Sequence, residues 1–217
     1  MRHRLMSIGV FFVFAAGCFE SPTEPAAGDS ADSSKNGQRG EKTGSVSCAL
    51  RGEPVCELGN TPKLTISLVN QTGEDICLVG CLDASSCKWR YPHCCFEIIG
   101  PSGPIADNYG ARCGNMNTLR EQDFVNVPPG GSFDPFQSID SYGFFGTHQL
   151  NPKTFSTPGT YRIRFVYSTN QAKIGAWAGD RSDAVIADKN LGALFAKVPK
   201  VEVQSNEFLL TVVAPGK

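Results

Sequence analysis

Alternating apolar and polar residues recur between Ser45 and Lys217 and predict a set of short β-strands. The clearest stretch is Tyr161 to Tyr167, where every second residue is large and apolar and two arginines lie between them. Such a period of two sends one set of side chains into a core and the other into water. Further candidates are Lys63 to Val69 and Phe208 to Val213, and, more weakly, Val46 to Leu50, Cys94 to Ile99 and Asp123 to Val127. Because glycine and proline turn signals separate them, the pattern predicts an all-β sandwich or barrel.

A long connection before the last strand has a different periodicity. Asn170 to Gln204 is far longer than a usual hairpin loop of about two to five residues. Its apolar residues recur at helical spacing, as Ala184, Ala187, Leu191, Leu194 and Val198. Ser182 is the predicted cap of this helix and Pro199 its predicted end. The stripe indicates a flap over one end of the sandwich, and the alternative is a binding lid that includes Trp177.

The first eighteen residues have the layout of an export signal. A basic start at Arg2 to Arg4 precedes an apolar run from Ile8 to Ala16 and then small residues. The ending Ala15-Ala16-Gly17-Cys18 resembles the lipobox of bacterial lipoproteins, whose cysteine is diacylated and becomes the first mature residue. The resemblance implies a signal peptide at residues 1–17 and acyl chains such as palmitate on Cys18. The alternatives are an ordinary signal peptide cut near Gly17 and an uncleaved anchor, although the run is shorter than a membrane span of about 20 residues.

A polar segment follows the predicted lipid anchor. Phe19 to Gly44 is rich in small, polar and charged residues and contains a single aromatic residue, which predicts a flexible tether. Residues 18–44 are therefore the expected lipidated terminus and tether, and residues 45–217 one folded domain. Many lipoproteins that stay in the inner membrane carry aspartate after the cysteine, whereas this chain has Phe19. The resemblance thus implies a cell-envelope protein, in the outer membrane if the host is Gram-negative.

The charge of the mature chain disfavours one class of partner. Removal of residues 1–17 takes away two of the 20 basic residues and none of the 21 acidic ones, which leaves a net charge of −3. Nucleic acid binding depends on clustered lysine and arginine, and the sequence has no basic run of that kind. We therefore expect no nucleic acid partner.

Cysteine offers the most chemistry in this chain. With Cys18 assigned to lipid, eight of the nine cysteines remain: Cys48, Cys56, Cys77, Cys81, Cys87, Cys94, Cys95 and Cys113. An even set in an exported protein predicts disulfide bonds, and the sequence does not choose among about 105 pairings. Since neighbours in a strand point to opposite faces, Cys94 and Cys95 are expected to have different partners. Cys94 shares a face with Phe96 and Ile98, which suggests a bridge in the core.

A metal or iron–sulfur site is the alternative use of these thiols, with His93 beside them. The chain has no C-x-x-C pair, and an oxidising compartment would consume the thiolates, so neither a metal nor another cofactor is expected. His93 and His148 lie far apart in sequence. Neither a G-x-S-x-G nucleophile elbow, nor a Gly-rich phosphate loop, nor an H-E-x-x-H pair occurs. We therefore expect no catalytic residues and no enzymatic activity.

Three fragments sharpen the predicted fold. Val127 to Ser132 reads VPPGGS, Thr157 to Phe165 reads TPGTYRIRF, and Ser205 to Val212 reads SNEFLLTV. In this order they resemble the closing strands of bacterial immunoglobulin-like domains. The resemblance implies an immunoglobulin-like β-sandwich in which Tyr161 forms the tyrosine corner. The predicted fold is thus an all-β, disulfide-rich sandwich with a long, partly helical insertion before the last strand.

Aromatic residues near the cysteines suggest a contact surface. Trp89 and Tyr91 alternate beside the cysteines, and with Trp177 they are the predicted binding patch. The alternative is that they close the ends of the sandwich. The favoured function is therefore a non-enzymatic, lipid-anchored protein that binds a protein or glycan of the cell envelope. The other hypotheses are an extracytoplasmic proteinase inhibitor, since some bacterial inhibitors resemble this kind of sandwich, and an envelope enzyme.

Overall fold

The computed structural model describes residues 44–105, 116–136 and 149–216. Their strands are β1 (Val46–Gly52), β2 (Val55–Glu57), β3 (Leu64–Asn70), β4 (Ile76–Val79), β5 (His93–Gly100), β6 (Gly103–Pro104), β7 (Phe124–Val127), β8 (Ser132–Phe133), β9 (Gly159–Ser168), β10 (Glu202–Gln204) and β11 (Phe208–Val213). The α-helices are α1 (Ser182–Ala187) and α2 (Lys189–Ala196), and two 3-10 turns span Glu121–Asp123 and Ile174–Ala176. The all-β class is confirmed, and every strand predicted from the alternation is present. The predicted signal peptide, Cys18, almost all of the tether, Cys113 and His148 lie outside the described residues.

Two sheets share one hydrophobic core. The smaller has the order β1-β3-β8, and the larger has the order β2-β11-β9-β5-β6, with β10 also paired to β9. The β2–β11 pair is parallel, whereas β9 is antiparallel to β5, β10 and β11. A separate two-stranded ladder joins β4 to β7. No helix in the described residues has the length and apolar character needed to cross a membrane.

The alternation in β9 explains its central position in the larger sheet. Its inward side chains are all buried: Tyr161, Ile163, Phe165 and Tyr167. The smaller sheet contributes Val46, Leu50, Ile66, Leu68 and Phe133 to the same core. On the outer face, Arg162 and Arg164 lie 3.9 Å and 3.4 Å from a carboxylate oxygen of Glu207. A strand with one apolar and one charged face is fixed in register, because a shift by one residue would bury the arginines.

Two polar side chains form hydrogen bonds to the backbone near the strand ends. The Tyr161 hydroxyl donates a hydrogen bond to the Thr157 carbonyl at 2.8 Å and accepts one from the Thr157 N–H at 3.2 Å. The Asn206 amide, between β10 and β11, accepts from the Leu50 N–H at 2.9 Å and donates to the Leu50 carbonyl at 3.1 Å. Asn206 therefore bonds to β1 as the backbone of a neighbouring strand would, and links the two sheets.

The predicted helix is in fact two short helices. Ser182 is the first residue of α1 rather than its cap, a position held by Arg181 with a φ of 58°. Asp188 ends α1 and caps α2, since its carboxylate accepts from the N–H groups of Asn190 and Leu191. This break was missed because Asp188 satisfies the first N–H groups of a new helix as well as ending the old one.

The break also changes which residues face inward. Of the predicted stripe, Leu191 and Val198 are buried and Leu194 is half-buried, whereas Ala184 and Ala187 are exposed. Val185 and Phe195 are buried instead. The connection is also shorter than predicted, because the chain rejoins the sheet at β10, where Glu202 pairs with Ser168.

Candidate functional site

The loop between β4 and β5 places an exposed tryptophan on a closely packed base. We call residues 80–92 the cysteine loop. All of its residues are buried or half-buried except Lys88 and Trp89, and Trp89 keeps 60% of its surface exposed. Among the large apolar side chains exposed in the described residues, Trp89 has the greatest exposed fraction and is the aromatic one, and tryptophan is enriched in binding hot spots. The cysteine loop is therefore the first candidate for a functional surface.

The backbone of the cysteine loop is shaped to present this tip. Ala84 and Lys88 have φ values of 63° and 60°, in the left-handed region that non-glycine residues rarely adopt. Hydrogen bonds hold the turn: the Leu82 N–H donates to the Ser85 hydroxyl at 3.1 Å, and the Trp89 N–H donates to the Ala84 carbonyl at 3.1 Å. Such backbone positions persist where surrounding contacts fix them, which is common at functional sites.

The base of the cysteine loop is bonded to the connection that follows β9. The buried Arg90 side chain donates from Nε to the Trp177 carbonyl at 2.7 Å, and the Tyr91 N–H donates to the Ala176 carbonyl at 3.2 Å. The Tyr91 ring stacks on Trp177 with centroids 5.9 Å apart. Trp89 lies in the same loop but stays 60% exposed, so a fixed backbone holds an exposed side chain.

Trp177 does not belong to an exposed patch. Its side chain is 0% exposed, so Trp177 adds no surface to the predicted binding patch, and the lid that includes it stays a prediction. Tyr91 is half-buried beneath the tip. Of the three predicted binding residues, Trp89 alone is freely exposed.

A second hydrophobic cluster joins the cysteine loop to the helices. It contains Cys77, Val79, Leu82, Leu119, Trp177, Ala178, Val185, Leu191, Phe195 and Val198. The Trp177 ring meets Phe195 edge-on at 5.3 Å, and the Lys200 ammonium lies 3.6 Å above the Phe195 ring centre. The helical connection therefore packs against the buried side of the cysteine loop. Local sequence periodicity could not reveal this contact.

Burial perturbs the titratable group that begins β5, directly after the cysteine loop. Burial lowers the pKa of His93, and the nearby positive charge of Lys88 lowers it further, while Glu202 partly opposes both. His93 is therefore mainly neutral at pH 7, and its ring stacks on Tyr91 at 3.8 Å. Within the described ranges, no group of three or more His, Cys, Asp or Glu side chains is placed to hold a metal ion.

The seven described cysteines are placed unevenly. Cys77, Cys81, Cys87, Cys94 and Cys95 are buried, whereas Cys48 and Cys56 are half-buried, and no two of these seven are joined in a disulfide. Cys94 lies in the main core with Phe96 and Ile98, as the alternation predicted. Burial raises the pKa of Cys48 to about 12, so this thiol is protonated in the folded domain.

Comparison of the chain with protein-family models, with curated proteins and with solved structures gives no match. The arrangement of the chain's own residues is therefore the basis for assigning a function.

Proposed function

We propose that this chain is an exported, lipid-anchored protein whose immunoglobulin-like domain binds a protein or glycan of the cell envelope through the tip of the cysteine loop. The observation that carries the proposal is Trp89, which is 60% exposed beside Lys88 although the rest of the loop is packed. Tryptophan on a preorganised base is a typical binding hot spot, because little side-chain freedom is lost on contact. Neither the described histidine nor the cysteines offer a comparable arrangement for catalysis.

The strand arrangement supports an immunoglobulin-like sandwich. The domain has two sheets over one core, and the Tyr161 hydroxyl bonds to the backbone of Thr157, four residues earlier, as a tyrosine corner does. The chain departs from antibody domains because Ile163 stands where the second core cysteine would follow that tyrosine, and no tryptophan lies on β5. The architecture provides the scaffold, and the function depends on the loops that it carries.

The lipid anchor is tested separately from binding. A cell that expresses the full chain is fed labelled palmitate, and the protein is recovered from the membrane fraction. Label on the wild type and its loss in Cys18→Ala support the anchor, whereas an unlabelled wild type contradicts it. A mature terminus that begins at another residue would favour the ordinary signal peptide.

The binding proposal is tested with one exposed tryptophan and one matched apolar control. Full-length wild type, Trp89→Ala and Leu209→Ala are used to capture components of solubilised envelopes. Leu209 is 55% exposed on β11, so it controls for the loss of apolar surface elsewhere. Saturable capture by wild type and Leu209→Ala, and its loss in Trp89→Ala, supports the proposal. Equal capture by all three refutes a role for Trp89, and protease treatment of the envelopes separates a protein partner from a glycan.

A further inference from the structure

One buried tyrosine contacts both ends of the cysteine loop. The loop follows β4, which ends at Val79, and it leads into β5, whose second residue is Cys94. The Tyr167 hydroxyl, on β9, donates a hydrogen bond to the Val79 carbonyl at 2.9 Å and accepts one from the Val79 N–H at 3.4 Å. The Tyr167 backbone lies opposite Cys94 in the β5–β9 ladder. One residue of a central strand therefore joins the two ends of the loop.

The hydroxyl makes a connection that the backbone ladders do not. Within the described ranges, β4 pairs with β7 and with no strand of the two main sheets, whereas β5 pairs with β9 from His93 to Ile99. Tyr167 and Val79 are both 0% exposed, so water cannot readily replace their hydrogen bonds. Burial also raises the pKa of Tyr167 well above its usual range, which keeps the hydroxyl protonated and able to donate.

We propose that Tyr167 is the positioning residue of the cysteine loop: its hydroxyl fixes the end of β4 against β9 and thereby sets the orientation of Trp89. The effect on capture rests on the function proposed above, whereas the effect on the loop does not. Without the hydroxyl, both Val79 groups lose this partner in a buried place, so the end of β4 and the loop after it should shift to other conformations. The change should be local, because the ring still fills the core between the two sheets.

The same strand supplies a matched control. Tyr161 is also a buried tyrosine of β9, and its hydroxyl also bonds to the N–H and the carbonyl of one residue, Thr157. Thr157 precedes β9 and lies outside the cysteine loop. Tyr161→Phe and Tyr167→Phe therefore remove the same chemical group from the same strand, and the Tyr167 change alone removes it from an end of the loop.

The first measurement is native-state hydrogen exchange of the full chain, resolved to single amides by fragmentation mass spectrometry. The reporters are the N–H groups of Leu82 and Trp89, which form hydrogen bonds within the loop, and the reference is the N–H of Leu50 on β1. Relative to the reference, exchange at both reporters should rise at least about tenfold in Tyr167→Phe and stay unchanged in Tyr161→Phe. The increased exchange should respond little to low concentrations of urea, because a local opening exposes little surface.

The second measurement is capture from solubilised envelopes at equal amounts of folded protein. The half-saturating amount should rise about threefold or more in Tyr167→Phe, because fewer molecules hold the loop in its binding conformation, and should not change in Tyr161→Phe.

Three results would overturn the proposal. They are equal relative exchange at the loop reporters in both variants, loss of the whole fold in Tyr167→Phe, and wild-type capture by Tyr167→Phe where Trp89→Ala loses it. If loop exchange rises as expected but Trp89→Ala captures as the wild type does, Tyr167 still positions the loop and the proposed binding function fails.

Discussion

Removal of the Tyr161 hydroxyl is expected to destabilise the domain by about 1–2 kcal/mol. The hydroxyl makes two hydrogen bonds to the Thr157 backbone, at 2.8 Å and 3.2 Å. Each such bond contributes about 0.5–1.5 kcal/mol net. The ring should stay in place in Tyr161→Phe, because it is buried and meets Phe155 edge-on at 5.1 Å. Thr157 is exposed, so water can replace part of the lost bonding and the smaller part of the summed range applies.

The assay is urea unfolding of the purified protein, followed by circular dichroism and checked by calorimetry. For a domain of this size, the loss corresponds to a fall in Tm of roughly 2–8 °C. Tyr91→Phe is the matched control, because among the described residues its hydroxyl has no hydrogen-bond partner while its ring is also stacked. If Tyr161→Phe changes the free energy of unfolding no more than Tyr91→Phe does, the hydroxyl does not fasten β9.

Two further predictions concern a link between the sheets and a titrating group. Asn206→Ala should lower the free energy of unfolding by about 2 kcal/mol, because both of its hydrogen bonds to Leu50 are lost. Urea unfolding measures this change, and a value near zero would show that water replaces both hydrogen bonds. Because folding lowers the pKa of His93, the unfolded chain binds more protons than the folded domain just below the usual histidine pKa of 6.5. The free energy of unfolding should therefore fall as the pH drops through 6.5. His93→Gln should flatten this pH dependence, and Lys88→Gln should reduce it because the Lys88 charge contributes to the shift; an NMR titration that places the His93 pKa above 6.5 contradicts the reasoning.

The strands could be predicted because alternation is a local signal. In β3, the buried Ile66 and Leu68 are separated by the half-buried Ser67, as the pattern requires, and β11 buries Leu210 and Val212 in the same way. Each strand spans one sheet with a core face and a solvent face, so its own residues report its environment. The Ser205-Asn206 pair opens the fragment SNEFLLTV, which the sequence analysis singled out, and hydrogen bonds in the structure explain both residues. Ser205 accepts from the Phe165 N–H at 2.9 Å, and Asn206 pairs with Leu50.

The candidate site could not be predicted to the same extent, because long-range contacts decide which of its aromatics are buried. The local sequence does not tell Trp89 and Trp177 apart, because each lies in an irregular segment near charged residues. Their fates differ because Arg90 turns back to bond the Trp177 carbonyl at 2.7 Å, while α2 supplies Phe195 to cover the Trp177 ring. Arg90 is 87 residues from Trp177 in the sequence, Phe195 lies on a later helix, and no periodicity connects these partners. The same contacts that bury Trp177 fix the base from which Trp89 projects, so a change such as Phe195→Ala should weaken binding only by loosening that base, whereas Trp89→Ala should remove the contact itself.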